Sequence, residues 1–416
     1  MSELRVEGEG RAPPPWIWFF LSIPFGATSG YASVALGWLA TQAKMGDEVV
    51  AAIVAASLLP QWLKFLWAPL CDVISTRKRW YLVSNLVSSL TLGLIGFVPF
   101  RPDLLWVLKG LVLVNSVATS FNGMSVQAMM AEGTPQSRLG LASGWHQAGN
   151  LGGAGLGGGL ALVLSQRLSP GLASLITGAL LLGCGAFLAL VPDGQRTHMP
   201  AHHRVAALVA GVKSVALDLW SVLASKSGLF ALTLCFVPLG CGAAQGLFSA
   251  IAERWGASPE LVAASTGSVG GVAAAIGCLA GGWFSDRMNR KLAYAVAGIA
   301  LAATGVAMAF SPHTPWAYGL WTLGYSFALG LCYGAFTGFA LEVVGLGAVA
   351  TKYSALASLS NFPTWYMTLV LGWVSASHGP TWMLLVDAGA GLAGAVVLVG
   401  LLAAFGKRAS GVGAAA

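Results

Sequence analysis

Charge is what this chain has least of. Only 9% of its 416 residues are Asp, Glu, Lys or Arg, while 56% are hydrophobic. A water-facing surface carries about 25% charged residues, so the deficit excludes an ordinary soluble globular domain and points to a surface that faces lipid. Cysteine is sparse and unpatterned. Cys71, Cys184, Cys235, Cys241, Cys278 and Cys332 form no C-x-x-C pair and fall in or beside apolar segments, which argues against a disulfide framework or a metal cluster and for small buried apolar side chains. No nucleotide-binding loop is present. Gly153, Gly155 and Gly158 fit a dinucleotide fingerprint by letter, but no strand precedes them, and Gly149, Gly153 and Gly157 instead make a face for close helix–helix approach. His198 and His202 have a metal-like spacing that Pro200 interrupts. No convergent nucleophile and base is visible either, so neither an enzyme nor a cofactor or metal site is expected. The net charge of +7 is no footprint for nucleic acid, because the basic residues sit between apolar segments.

What is abundant is apolar sequence, with 55 glycines set into it. A membrane-crossing helix needs roughly 20 mostly apolar residues. That ruler gives twelve spans, at 16–40, 49–71, 80–99, 104–131, 140–164, 169–191, 227–251, 261–283, 291–311, 315–341, 353–376 and 380–405. The expected fold class is therefore all-α and integral to the membrane, with two six-helix bundles at 16–191 and 227–405. A linker at 192–226 carries a stretch amphipathic enough to lie on the membrane surface, and tails lie at 1–15 and 406–416. Residues 1–15 mix Glu3, Glu7 and Glu9 with Arg5 and Arg11, which is no signal-peptide n-region. Of the 22 Lys and Arg, only Lys44, Arg101, Arg167 and Arg254 lie opposite the termini, and Lys64 and Lys109 lie within spans. The rest share the side of the tails, so the positive-inside rule makes both termini cytoplasmic.

The halves repeat. Pro24 and Pro238, Gly26 and Gly240, and Asp72 and Asp286 each differ by 214 positions. After the eighth span the chain reads Gly282-Trp283-Phe284-Ser285-Asp286-Arg287-Met288-Asn289-Arg290-Lys291, and after the second Ala68-Pro69-Leu70-Cys71-Asp72 followed by Arg77-Lys78-Arg79. The former resembles the cytoplasmic loop motif of the major facilitator superfamily, Gly-x-x-x-Asp-Arg-x-x-Arg-Lys. The latter is a weaker copy, with Ala68 for the Gly and Val73 for the Arg. Residues 63–72, Leu-Lys-Phe-Leu-Trp-Ala-Pro-Leu-Cys-Asp, and 352–361, Lys-Tyr-Ser-Ala-Leu-Ala-Ser-Leu-Ser-Asn, are similar to the second and eleventh helices of AmpG-type permeases. The resemblance implies a twelve-helix secondary transporter of the bacterial inner membrane, working as a monomer. It implies proton symport of a bulky polar small molecule by alternating access between parallel repeats. In that group the solute is an anhydro-muropeptide, and a sister branch imports siderophores. The fourth span departs from the group, its acid moved toward the helix end in Ser125-Val126-Gln127-Ala128-Met129-Met130-Ala131-Glu132. Export is the alternative direction, disfavoured by the lack of Pro in the fifth span.

Ionisable and polar side chains at membrane depth are costly and mark candidate sites. Lys64 is a candidate for an anionic group of the substrate, or snorkels to the headgroups. His146, Gln147 and Asn150 share one side of the fifth span, and His146 is the residue type that titrates near neutral pH. Asn361 falls near their matching place in the eleventh span, and Gln127 lies in the fourth. Tyr31 and Gln245, 214 apart, take equivalent sites on the first helix of each half. These eight form the expected substrate site. Gating or coupling is expected from Asp72, Arg77, Glu132 and Arg138 in the first half and from Asp286, Arg287, Arg290, Glu342 and Lys352 in the second. Asp387, in the last span, joins them as an acid facing a partner or the cavity mouth.

Overall fold

The computed structural model describes residues 13–67, 70–71, 75–134, 139–192, 213, 217, 236–344 and 358–411, without the side chains at 131, 132, 139–141, 143, 144, 286, 337–344 and 403–411. Among these, the helical segments group into twelve rods. In the first half they are α1 (Ile17–Gln42), α2 (Asp47–Leu66), α3 (Arg77–Ile95), α4 (Leu105–Gly133), α5 (Leu139–Arg167) and α6 (Pro170–Leu190). In the second they are α7 (243–255), α8 (259–287), α9 (Arg290–Phe310), α10 (Pro315–Val344), α11 (Phe362–His378) and α12 (Pro380–Gly411). Seven described stretches are long and apolar enough to cross a bilayer. Of the expected linker only residues 192, 213 and 217 are described, and of the tails only 13–15 and 406–411.

The helix starts follow local chemistry. Ser169, Ser258 and Thr314 each precede a proline at the first helical position, and each accepts a hydrogen bond from a backbone N–H three residues on. Thr76 does the same for Arg79, and Asn289 caps both Lys291 and Leu292. A side-chain oxygen at that place satisfies an orphan donor, and proline has no N–H to lose. The outward faces carry Leu82, Leu86 and Leu90 on α3 and Leu279 on α8, all exposed, as a lipid-facing surface requires. Trp106 and Trp316 stand exposed near the rod ends, where aromatic rings favour the membrane interface.

Glycine sets the closest packing. A Cβ added to Gly149, Gly153 or Gly157 of α5 would lie 2.2 Å, 2.6 Å or 2.4 Å from a backbone oxygen of α1. In the second half, Gly277 and Gly281 of α8 meet the Phe327 and Leu331 carbonyls of α10 in the same way. Such contact lets the helix backbones approach closely and gains dispersion energy where lipid supplies no hydrophobic drive.

Two departures from straight helices lie near the contact between the halves. Both α1 at Tyr31–Leu36 and α8 at Ala263–Ser268 widen into π-helical turns. The seventh rod is broken. Residues 237–242 leave the helix, with Gly240 at φ +67 and Gly242 at φ +65, a region open chiefly to glycine. Where the expected span at 227–251 is described it is interrupted: residue 236 is helical, 237–242 are not, and the helix resumes at Ala243 and runs on to Trp255. Of the expected eleventh span, 353–357 lie outside the described residues, and its long described helix begins at Phe362. Pro363 in its first turn has no N–H to continue a helix backward.

Candidate functional site

With twelve rods the start of α1 and the end of α12 share one face. The loops holding Lys44, Arg101, Arg167, Arg254 and His378 lie on the opposite one, called here the far face. On that face the halves are joined. Asp47 opens α2 with its side chain 8% exposed, and its Oδ2 accepts from Arg254 of α7 at 3.0 Å and from Ser375 of α11 at 2.5 Å. Gln42 of α1 donates to Glu253 of α7 at 2.5 Å, and Ser249 of α7 donates to the Ser33 carbonyl of α1 at 2.5 Å. Below this latch α2 and α11 touch along their length, Ala51 against Gly372 and Trp62 against Phe362 and Trp365, with ring centroids 4.9 Å and 5.8 Å away. Above it lies a cup of about 630 Å³ lined by Lys44, Glu48, Arg254 and Ser377 among others. Nothing in the sequence singles out Asp47, Ser375, Gln42 or Glu253, and Arg254 there marks only topology.

Deeper in the first half a polar cluster joins four helices. Ser22 of α1 donates its hydroxyl hydrogen to the Trp18 carbonyl at 2.6 Å. Its oxygen is also 2.6 Å from Nδ1 of His146 on α5, so that ring nitrogen carries the hydrogen and donates to Ser22. Nε2 is then the acceptor, facing the Gln127 amide nitrogen of α4 at 3.3 Å. The ring, 5% exposed, is fixed in one tautomer by its neighbours. A second proton would set N–H against N–H and require the Gln127 amide to turn over. Lys64 stands at the end of α2, in the turn after Pro60. It is close enough to His146 for electrostatic coupling, with Nζ 5.9 Å from the Phe25 ring centroid. Among the described residues no carboxylate pairs with it.

The other expected substrate residues are placed differently. Gln147 and Asn150 bond each other at 3.3 Å on α5. Tyr31 is buried, its hydroxyl 2.6 Å from Ser174 of α6, so in this state it braces the first bundle and lines no open space. Gln245, its repeat equivalent, donates to Ser326 of α10 at 3.0 Å. Asn361 stands just before α11. Tyr31, Gln147, Asn150 and Gln245 thus make these bonds away from His146 and Lys64. Of the expected gating residues, Asp72, Arg138 and Lys352 lie outside the described residues, as do the side chains of Glu132, Asp286 and Glu342. Arg77 donates to the Cys71 carbonyl. Arg287 lies over the Trp283 ring at 3.9 Å, a cation–π contact on its own helix. Arg290 opens α9. Asp387 is buried inside the second half, where the Tyr325 hydroxyl donates to it at 2.6 Å.

Taken together, the chain is a membrane bundle of two linked six-helix halves, latched on one face, with titratable groups at depth. The profile of the Major Facilitator Superfamily matches residues 18–364, and the chain belongs to that family. Solved structures share the fold. A mutant of the peptide transporter POT in complex with sulfate is 14% identical, with 96% of each chain covered and a TM-score of 0.72. The same transporter described without a mutation, also with sulfate, is 13% identical over 96% of each chain, with a TM-score of 0.71. A POT family transporter in complex with a thioalcohol conjugated peptide is 10% identical, covering 92% of this chain and 94% of its own, with a TM-score of 0.70. No curated protein matches the sequence.

Proposed function

We propose that this chain is a proton-coupled secondary transporter that imports a bulky polar solute with an anionic group by alternating access. A peptide-like or anhydro-muropeptide-like compound fits that description. The observation that carries the reading is the Ser22–His146–Gln127 network beside Lys64, held at membrane depth while the opposite face is latched. An ammonium near a tautomer-fixed imidazole offers a charge and directional hydrogen bonds to a carboxylate or phosphate group, in a medium where such groups are otherwise expensive. The peptide ligand of one fold neighbour supports the solute class. In this reading the far face is periplasmic, both termini are cytoplasmic, the membrane is the bacterial inner membrane and the monomer is the working unit. The two bundles, 16–191 and 227–405, rock about the substrate.

The Asp72 and Asp286 motifs, with Arg77, Glu132, Arg138, Arg287, Arg290, Glu342 and Lys352, form the gate on the terminal face. The test is uptake by the purified chain in liposomes under an inward proton gradient. Labelled anhydro-muropeptide, an acidic dipeptide and a ferric siderophore are offered in parallel. Gradient-dependent uptake of the muropeptide or the dipeptide is expected. Uptake of the siderophore alone moves the chain to the iron-import branch. Efflux without uptake reverses the direction, and movement of none of the solutes overturns the substrate class.

A further inference from the structure

On the far face α1 and α7 end in the same turn. The N–H of Lys44 donates to the Thr41 carbonyl at 2.8 Å and that of Met45 to Ala40 at 3.0 Å, with Lys44 at φ +57. In the second half, 212 positions on, the N–H of Gly256 donates to the Glu253 carbonyl at 2.9 Å and that of Ala257 to Ala252 at 3.1 Å, with Gly256 at φ +64. A turn of this kind needs a left-handed residue and ordinarily takes glycine. The second half has the glycine and the first half has a lysine. Among the described residues Lys44 is the only one other than glycine in that region.

A simpler purpose does not require a lysine at that position. Gln42 and Ala43 are exposed beside it, and a cation at either would complement the α1 dipole without left-handed backbone. No ion pair holds Lys44 among the described residues. Strain kept where the repeat shows the unstrained choice points to a use for the side chain.

Lys44 lines the cup above the latch, whose volume of about 630 Å³ is ordinary for a small-molecule site. The turn between α1 and α2 supplies one wall, and α7 and α11 supply the others. Arg254 and Asp47 neutralise each other in the latch, and Glu253 is bonded to Gln42. That leaves Lys44 and Glu48, both exposed and outside any ion pair among the described residues, as the open charges of the cup. One is an ammonium and the other a carboxylate, and both stand on the first-half wall. The Thr41 hydroxyl spends its hydrogen on the Gly37 carbonyl at 3.0 Å, so toward the cup it accepts. The Trp373 ring, 60% exposed, adds an apolar surface.

We propose that the cup is an outer binding site for a small zwitterionic solute such as a dipeptide, with Lys44 taking its carboxylate and Glu48 its ammonium. This goes beyond the function proposed above, since the cup lies outside the latch and uses neither Lys64 nor His146. The occupant rests between the two halves while the far face is shut. Charge-assisted bonds to both ends select it over solutes with one charge.

The test reads the cup directly. In the purified full chain in lipid nanodiscs, Ala376→Cys puts a thiol on the α11 wall. Its labelling rate with a methanethiosulfonate is measured with and without alanylalanine, and the ratio cancels any effect of a variant on the thiol itself. Trp316→Cys, exposed outside the cup, is the control, and its rate is expected not to change. Alanylalanine is expected to slow labelling in the cup. Half-protection is expected to need about tenfold more of its amide or its N-acetyl form, and about tenfold more alanylalanine in Lys44→Gly. Lys44→Arg is expected to keep the protection, and Glu48→Gln to level alanylalanine with its N-acetyl form. Lys44→Gly is expected to melt no lower than the parent, since glycine takes φ +57 freely. Labelling indifferent to alanylalanine overturns the inference, and so does protection that Lys44→Gly leaves unchanged. If that variant does not fold, Lys44→Asn decides by the same shift. With Lys64→Gln added, protection is expected to persist. Protection that vanishes with Lys64→Gln means that the thiol follows the deep site and overturns this inference alone. Protection without any uptake rejects the transport reading alone.

Discussion

The Asp47–Arg254 pair sets a nearly buried carboxylate against a guanidinium that is 42% exposed. Part of its strength is lost to water screening, and Ser375 supplies a second bond to the same oxygen. Asp47→Asn is expected to shift the latch toward opening by about 1–2 kcal/mol, roughly tenfold in the open fraction. Far-face thiol labelling would show it, along with slower net uptake; unchanged labelling would make the pair a bystander. At the other site, Lys64→Gln is expected to raise KM for an anionic solute about tenfold or more, with kcat less affected. Kinetics with a neutral analogue of the same size provide the control, because its KM is expected to stay put. His146, Gln127 and Lys64 were legible as candidates, since a polar residue in an apolar run stands out against its neighbours. Ser22 was not. Serine is common in such helices, and only its two hydrogen bonds, to the Trp18 carbonyl and from the His146 ring, mark it.

At the scale of the element, α1 and α7 show how far an internal repeat can be read. Pro24-x-Gly26 and Pro238-x-Gly240 are the same letters 214 apart, yet α1 continues through Pro24 while α7 breaks. The difference lies two residues further on. Gly242 takes φ +65, whereas its counterpart Thr28 returns its hydroxyl to the Pro24 carbonyl at 3.1 Å and keeps the turn closed. Gly26 meanwhile serves packing, since a Cβ there would fall 1.8 Å from the Asn150 oxygen. Gly242→Ala is expected to destabilise by about 1–3 kcal/mol, from the left-handed conformation and from a Cβ 2.4 Å from Leu329. A thermal melt in detergent measures it. Gly153→Leu is expected to abolish folded protein, because the neighbour it meets is backbone and cannot move aside. Gly110→Leu and Gly400→Leu, with nothing within 4 Å of the added Cβ, are expected to yield protein as well as the parent. Equal yields from all three would sink the close-packing account. The glycine face of α5 was visible as a spacing of four. Its partner helix was not, because spacing names a face and not what covers it.

For the whole molecule, the twelve-rod architecture was legible from length, apolar runs and loop charge, because lipid imposes those on any chain that crosses it. How the halves meet was hidden. Asp47, Arg254 and Ser375 are far apart in the chain and lie at span ends, where a charge reads as an anchor. The latch predicts that Asp47→Cys with Ser375→Cys, joined by mild oxidation, holds the far face shut. Uptake is then expected to stop and to return on adding a reductant, while either single variant keeps transporting after the same oxidation. Uptake that continues through the crosslink would mean that the far face need not open.

The broken seventh rod has a mechanical consequence. A helix of this kind rises about 1.5–2 Å per residue, so the segment 243–255 is a lever on the order of 20 Å long with its fulcrum at the glycine break. A tilt of roughly 10° at the fulcrum would swing its tip by about 3–4 Å. That stroke exceeds the 3.0 Å that separates Arg254 from Asp47, so a movement too small to disturb the packing at the pivot is enough to part the two halves at the surface.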